Sequence, residues 1–84
     1  MNGDFMAQIT LDSMTKIEKT YNKVHEKVHT TYTVFEADGK KYVQFDTYGR
    51  ISRKIPEKIS QSIQMDQDTA RYLVKLLFDI FWEQ

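Results

Sequence analysis

The sequence predicts a single α+β domain: an antiparallel β-meander of three to four strands packed on one C-terminal α-helix. Three observations predict it. Asp38-Gly39 separates two runs of alternating apolar and polar residues, the strongest short-range hairpin signal. Residues Ile59 to Met65 alternate again with period two. From Ala70 to Phe81 the apolar residues instead recur every three to four positions, as on one face of a helix.

The elements follow in chain order. Residues 1–15 read as a loosely ordered N-terminal arm. The stretch from Met14 to Val28 supports two structures. Met14, Ile17, Tyr21, Val24 and Val28 have helical spacing, and Ser13 is placed to cap such a helix through His29. The strand formers Thr20 and Thr30 to Val34 favour a long strand from about Tyr21 to Glu36, bulged near His25–His29. The strand is the preferred expectation, within a meander spanning residues 21–65. A two-residue Asp38-Gly39 loop sets Phe35 opposite Tyr42, Val34 opposite Val43 and Tyr32 opposite Phe45. Side chains alternate across a sheet. Tyr32, Val34, Val43 and Phe45 therefore share the expected core face, and Thr31, Thr33, Gln44 and Asp46 the expected wet face.

A loop from Arg50 to Lys58 carries the single proline, Pro56. In the third strand Ile59, Gln61, Ile63 and Met65 suit the core face, with Gln61 the polar exception, and Ser60, Ser62 and Gln64 suit the other. Asp66 is placed to cap a helix over residues 66–83. Its stripe of Ala70, Leu73, Val74, Leu77, Ile80 and Phe81 is expected to lie across the sheet. Tyr72, Leu76, Phe78 and Trp82 fall outside that stripe and imply a partner surface, most simply a homodimer.

Composition narrows the function classes. The 84 residues fit one domain. Hydrophobic residues at 40% and charged residues at 29% place the chain among globular proteins, away from disordered ones. Without cysteine there is no disulfide, thiolate nucleophile or cysteine-held zinc, and a cytoplasmic setting is expected. No apolar run approaches the roughly 20 residues of a membrane span. No basic region precedes an apolar stretch near the N-terminus, so a secretory leader is not expected. Twelve basic residues balance twelve acidic ones, whereas proteins that live on nucleic-acid phosphates usually carry a basic excess.

Several patterns carry candidate chemistry. His25-Glu26-Lys27-Val28-His29 has the H-E-x-x-H spacing of zinc hydrolases, but these are the two histidines of the chain. In a strand, residues four apart are separated by about 13 Å, too far to share one metal. Metal hydrolysis is therefore a remote alternative, and neither a metal nor a cofactor is expected. Arg50, Arg53, Lys54 and Lys58 form a basic loop opposed by Glu57, and Lys40-Lys41 sit at the hairpin. Guanidinium forks bind oxyanions, so this loop beside a polar sheet face suits an anionic ligand or nucleic acid. Solvated loop charges are the plainer reading. Tyr42 and Tyr48 are candidate stacking groups. With Gly3, Gly39 and Gly49 its only glycines, the chain has no Gly-rich phosphate loop, and Asp46 has no sequence partner for acid–base catalysis.

The stretches Gln44-Phe45-Asp46-Thr47-Tyr48-Gly49 and Lys58-Ile59-Ser60-Gln61-Ser62-Ile63-Gln64, with Arg53 between them and Ala70 beyond, resemble a group of small prokaryotic proteins. The shared pattern is Q-x-D-T-Y-G, an arginine, then K-x-S-Q-x-x-Q, and the resemblance covers roughly residues 24–81. Such sequences often carry the name methionyl-tRNA formyltransferase, which implies a folate-binding domain and catalytic constellation for which this chain has no room. Arg50 stands where the group usually has serine, and Glu57 where it usually has glycine.

By position, the resemblance implies that Asp46, Tyr48, Arg53, Lys58, Ser60, Gln61 and Gln64 matter, either as a ligand site or as a polar network that fixes the loop. The expected function is a non-enzymatic binding or regulatory module, with a prokaryotic or mobile-element system as its expected setting. In that reading Arg53, Lys58 and Arg50 contact an anionic ligand or nucleic acid while Ser60, Gln61 and Gln64 orient it. The alternative is a protein-interaction or inhibitor module acting through the apolar helix.

Overall fold

The computed structural model describes residues 6–49 and 58–82. Strands β1 (Met6–Gln8), β2 (Thr30–Ala37), β3 (Lys40–Tyr48) and β4 (Ile59–Asp66) form one sheet in the order β1-β4-β3-β2, followed by helix α1 (Gln67–Phe81). The α+β class and the meander β2-β3-β4 match the sequence expectation. Asp38 and Gly39 take φ of 52° and 79°, the left-handed pair a tight hairpin requires. Tyr32 then faces Phe45, Val34 faces Val43 and Phe35 faces Tyr42, with the last pair stacked at 5.3 Å between ring centroids.

Several expectations need correction. First, residues 6–8 are not loose: β1 runs parallel to β4, with Ala7 beside Ile63, and the Ile9 amide donates to the Gln64 carbonyl at 2.9 Å. A short 3-10 turn, Leu11–Ser13, continues the connection. The Leu11 amide donates to Thr69 Oγ1 at 3.0 Å, and Thr69 is buried. Such long-range bonds leave little sequence signature.

Second, β2 begins at Thr30, and residues 14–29 form neither the expected bulged strand nor a helix. A strand extends only as far as its neighbour accepts its hydrogen bonds. β3 ends at Tyr48, whose amide makes the last such bond, to the His29 carbonyl at 3.0 Å. A helix over this stretch would need a surface for its apolar stripe, because isolated short helices are marginal in water. Ile17, Tyr21 and Val24 are strongly exposed instead.

Third, α1 does not lie across the sheet. It continues from β4 without an intervening loop, capped by Asp66, whose carboxylate accepts from the Thr69 amide at 3.0 Å. That bond is the main cause holding the Asp66 carboxyl below its usual range. The helix meets β3, β4 and the 3-10 turn, and its covered positions are Thr69, Ala70, Leu73 and Leu76. Val74, Leu77, Ile80 and Phe81, expected to be inside, are exposed. Leu76, expected outside, is half-buried, whereas Tyr72, Phe78 and Trp82 are exposed as anticipated. Phe78 and Trp82 stack at 5.9 Å on that outer surface.

Burial on the sheet is the reverse of the expected pattern. Among the described residues Met65 is the one buried apolar side chain. Asp46 and Ser62, on the polar face, are only 7% and 4% exposed, while Tyr32 and Val34 on the apolar face are 69% and 59% exposed. The radius of gyration is 15.2 Å, against about 12 Å for a compact domain of this length.

Candidate functional site

The polar face is built by register. In the β3–β4 ladder Gln44 lies opposite Gln64, and Asp46 opposite Ser62. Residues two apart on a strand share a face, so these four side chains stand side by side. Gln64 Nε2 donates to Gln44 Oε1 at 2.7 Å, and Gln44 Nε2 donates to Asp46 Oδ1 at 2.8 Å. Ser62 Oγ donates to the same carboxylate oxygen at 2.5 Å. A polar group can be buried at small cost when its hydrogen bonds are met, which is how Asp46 and Ser62 are accommodated. No buried side-chain nitrogen or oxygen among the described residues lacks a partner. At one end of the row Tyr48 Oη lies 3.1 Å from Thr31 Oγ1, and the Tyr48 ring packs 5.1 Å from that of His29.

Of the residues singled out in the sequence, Asp46, Tyr48 and Gln64 belong to this face. Gln61 does not: it lies opposite Thr47, on the apolar side with Phe45 and Ile63, where it is exposed and needs no buried partner. Ser60 is the extra residue of a β-bulge, between Ile59 opposite Tyr48 and Gln61 opposite Thr47. Lys58 is exposed just before β4. Arg50 and Arg53, with Pro56 and Glu57, lie outside the described residues. Gln44, in two of its bonds, and Ser62, in one, complete the network. Their period-two placement beside Asp46 and Gln64 was the signal available for them.

His25, Glu26 and His29 fall in the stretch without regular structure, so the helical face required by their spacing is not formed. Among the described residues no cluster of three or more His, Asp or Glu is placed to hold a metal. Lys40 and Lys41 border a groove with Glu36, Asp66 and Asp68, so carboxylates offset their charge. No described helix is long and apolar enough to cross a membrane.

The opposite face offers a different surface. Val34, Val43 and Met65 meet Ala70 of α1 in an open, largely apolar groove of about 190 Å³. From this groove the sheet continues outward through Tyr32, Phe45 and Ile63, while the helix continues from Ala70 through Val74, Leu77 and Phe81. All of these continuing side chains are more than a third exposed. Sheet face and helix stripe thus each expose apolar side chains on either side of the groove at the β4–α1 junction. Protein-family models, curated proteins and solved structures contain no match to the chain.

Proposed function

We propose that this chain is a small non-enzymatic interaction module whose working surface is the apolar side of the sheet together with the exposed stripe of α1. The observation that carries this reading is the inverted burial of the sheet. Its polar side is spent on internal hydrogen bonds, whereas its apolar side faces water at Tyr32, Val34, Phe45 and Ile63. Contiguous apolar patches larger than a few hundred Å² are rare on monomeric proteins and mark interaction sites. The test places one charge on each half of the surface, as in Val34→Glu with Phe81→Glu. The native chain is expected to elute from a gentle extract in an assembly, and the double variant as a free chain. A native chain that elutes free, with the amides of both surfaces protected from exchange by each other, would sink the reading.

A second reading uses the other side of the sheet. Lys58 is exposed just before β4, the strand that carries Ser62 and Gln64 of the polar row. Together with Arg50 and Arg53 it would hold an anionic ligand or nucleic acid, with Gln64 and Tyr48 orienting it. Titration with short DNA, RNA and nucleotides tests this. Absence of binding at low salt, or binding that ignores Arg53→Ala, excludes it.

A further inference from the structure

We infer that the partner covering the apolar surface is a second copy of this chain, each copy laying its α1 stripe on the sheet face of the other about a two-fold axis. The inference rests on the interaction reading above and names the occupant.

The helix does not cover its own sheet. β4 ends at Asp66 and α1 begins at Gln67, so no loop is available as a hinge. The direction of departure is pinned by the bond from the Leu11 amide to Thr69 Oγ1. Folding the helix back would break that anchor and unseat the 3-10 turn. The open groove lined by Val34, Met65 and Ala70 marks where helix and sheet part.

Each copy holds a sheet face without a helix and a helix stripe without a sheet. Exchange satisfies both at once, and a two-fold interface is self-complementary in this way. Ala70, Val74, Leu77 and Phe81 are spaced by four, three and four residues, one straight stripe of an α-helix. The sheet face that would receive it is formed by directly paired Tyr32 and Phe45, with Ile63 on the next strand.

Large apolar side chains expose on the order of 150–200 Å² each when free. At the fractional exposures found for the sheet face and the stripe, these residues present about 700 Å² of largely apolar surface per copy, and a standard interface buries about 800 Å² per partner. A chain whose described residues bury Met65 as their one apolar side chain needs such a supplement, since small domains are already short of core.

Sedimentation equilibrium of the full chain from about 1 to 100 μM, a range that exposes mass-action behaviour, tests the inference. The expected species is a dimer. Leu77→Glu and Phe45→Lys, one on each half of the surface, are each expected to weaken it at least tenfold. Mixing the two variants should restore a dimer, because one half of the mixed interface is then native and the other sets lysine against glutamate. The restoration also shows that both variants are folded. A dimer indifferent to both substitutions, or variants that fail to complement, would overturn the exchange. A folded native monomer would overturn it too, and amide exchange then separates the causes. An open, unprotected surface leaves the interaction reading standing with another protein as partner, and a surface closed on itself removes both.

Discussion

Replacing Asp46 probes whether the polar row of the sheet is structural. Its Oδ1 accepts from Gln44 Nε2 and from Ser62 Oγ, and both Asp46 and Ser62 are buried. Asp46→Ala leaves two donors without an acceptor. A buried group left unpaired costs about 1–3 kcal/mol. Because Gln44 is only half-buried and can turn toward water, the sum is placed at about 2–4 kcal/mol. Asp46→Asn keeps an oxygen in place for both donors but gives up charge assistance, and is expected to cost about 1 kcal/mol. Urea denaturation followed by circular dichroism, at one fixed protein concentration, measures both. A double-mutant cycle with Ser62→Ala isolates the pair, which should couple by more than 0.5 kcal/mol in the usual manner of residues in contact. An Asp46→Ala variant within about 0.5 kcal/mol of the native chain, the range of ordinary surface substitutions, would refute the reasoning. If that variant had instead lost the binding of an anionic ligand, the second functional reading would gain what the structural one lost.

Two further outcomes follow from the β4–α1 junction. Thr69→Val removes the acceptor of the Leu11 amide while keeping the shape of a buried side chain; a loss of about 1–2 kcal/mol is expected, with faster amide exchange over residues 9–13. Unchanged exchange there would show that the 3-10 turn is held by other contacts. Asp66 has its carboxyl held below the usual range mainly by the Thr69 amide, so its contribution to the helix start is present above the unfolded value of about 4 and is lost as pH falls through the lower folded value. Amide protection in the first turn of α1 should therefore drop in acid. In Asp66→Asn, which still caps but does not titrate, it should not.

How much of this was legible in the sequence depends on the range of the interactions. The hairpin was readable because Asp38-Gly39 dictates positive φ locally and fixes every pair from Thr30 to Ala37 with its partner on β3. The start of α1 was readable because an N-cap acts within three residues. β1 was not, since three residues in parallel pairing with β4 are held by a neighbour far along the chain. The stretch from Met14 to His29 misled in both directions. Its spacing suits a helix and its β-branched residues suit a strand, yet neither forms without a surface or an edge to complete it. The candidate site divided in the same way: alternation placed Asp46 and Gln64 on one face, while position within a motif wrongly grouped Gln61 with them.

The inverted sheet has a consequence for how function and stability are shared. Alternation told which side chains share a face but not which face is covered, because covering is a property of the layer above and not of the strand. Here the hydrogen-bonded row from Gln64 through Gln44 to Asp46 and Ser62 ties β3 to β4 in register through side chains. A one-residue slip of β4 against β3 would break the two bonds that cross between them, Gln64 to Gln44 and Ser62 to Asp46, and send the apolar residues to the opposite face. The polar row therefore sets the precision with which Tyr32, Phe45 and Ile63 are displayed on the other side. Rigid display lowers the ordering cost of association. On this account substitutions in the polar row should weaken self-association through register, although none of its residues lies on the apolar surface. Substitutions on that surface should weaken it through contact alone.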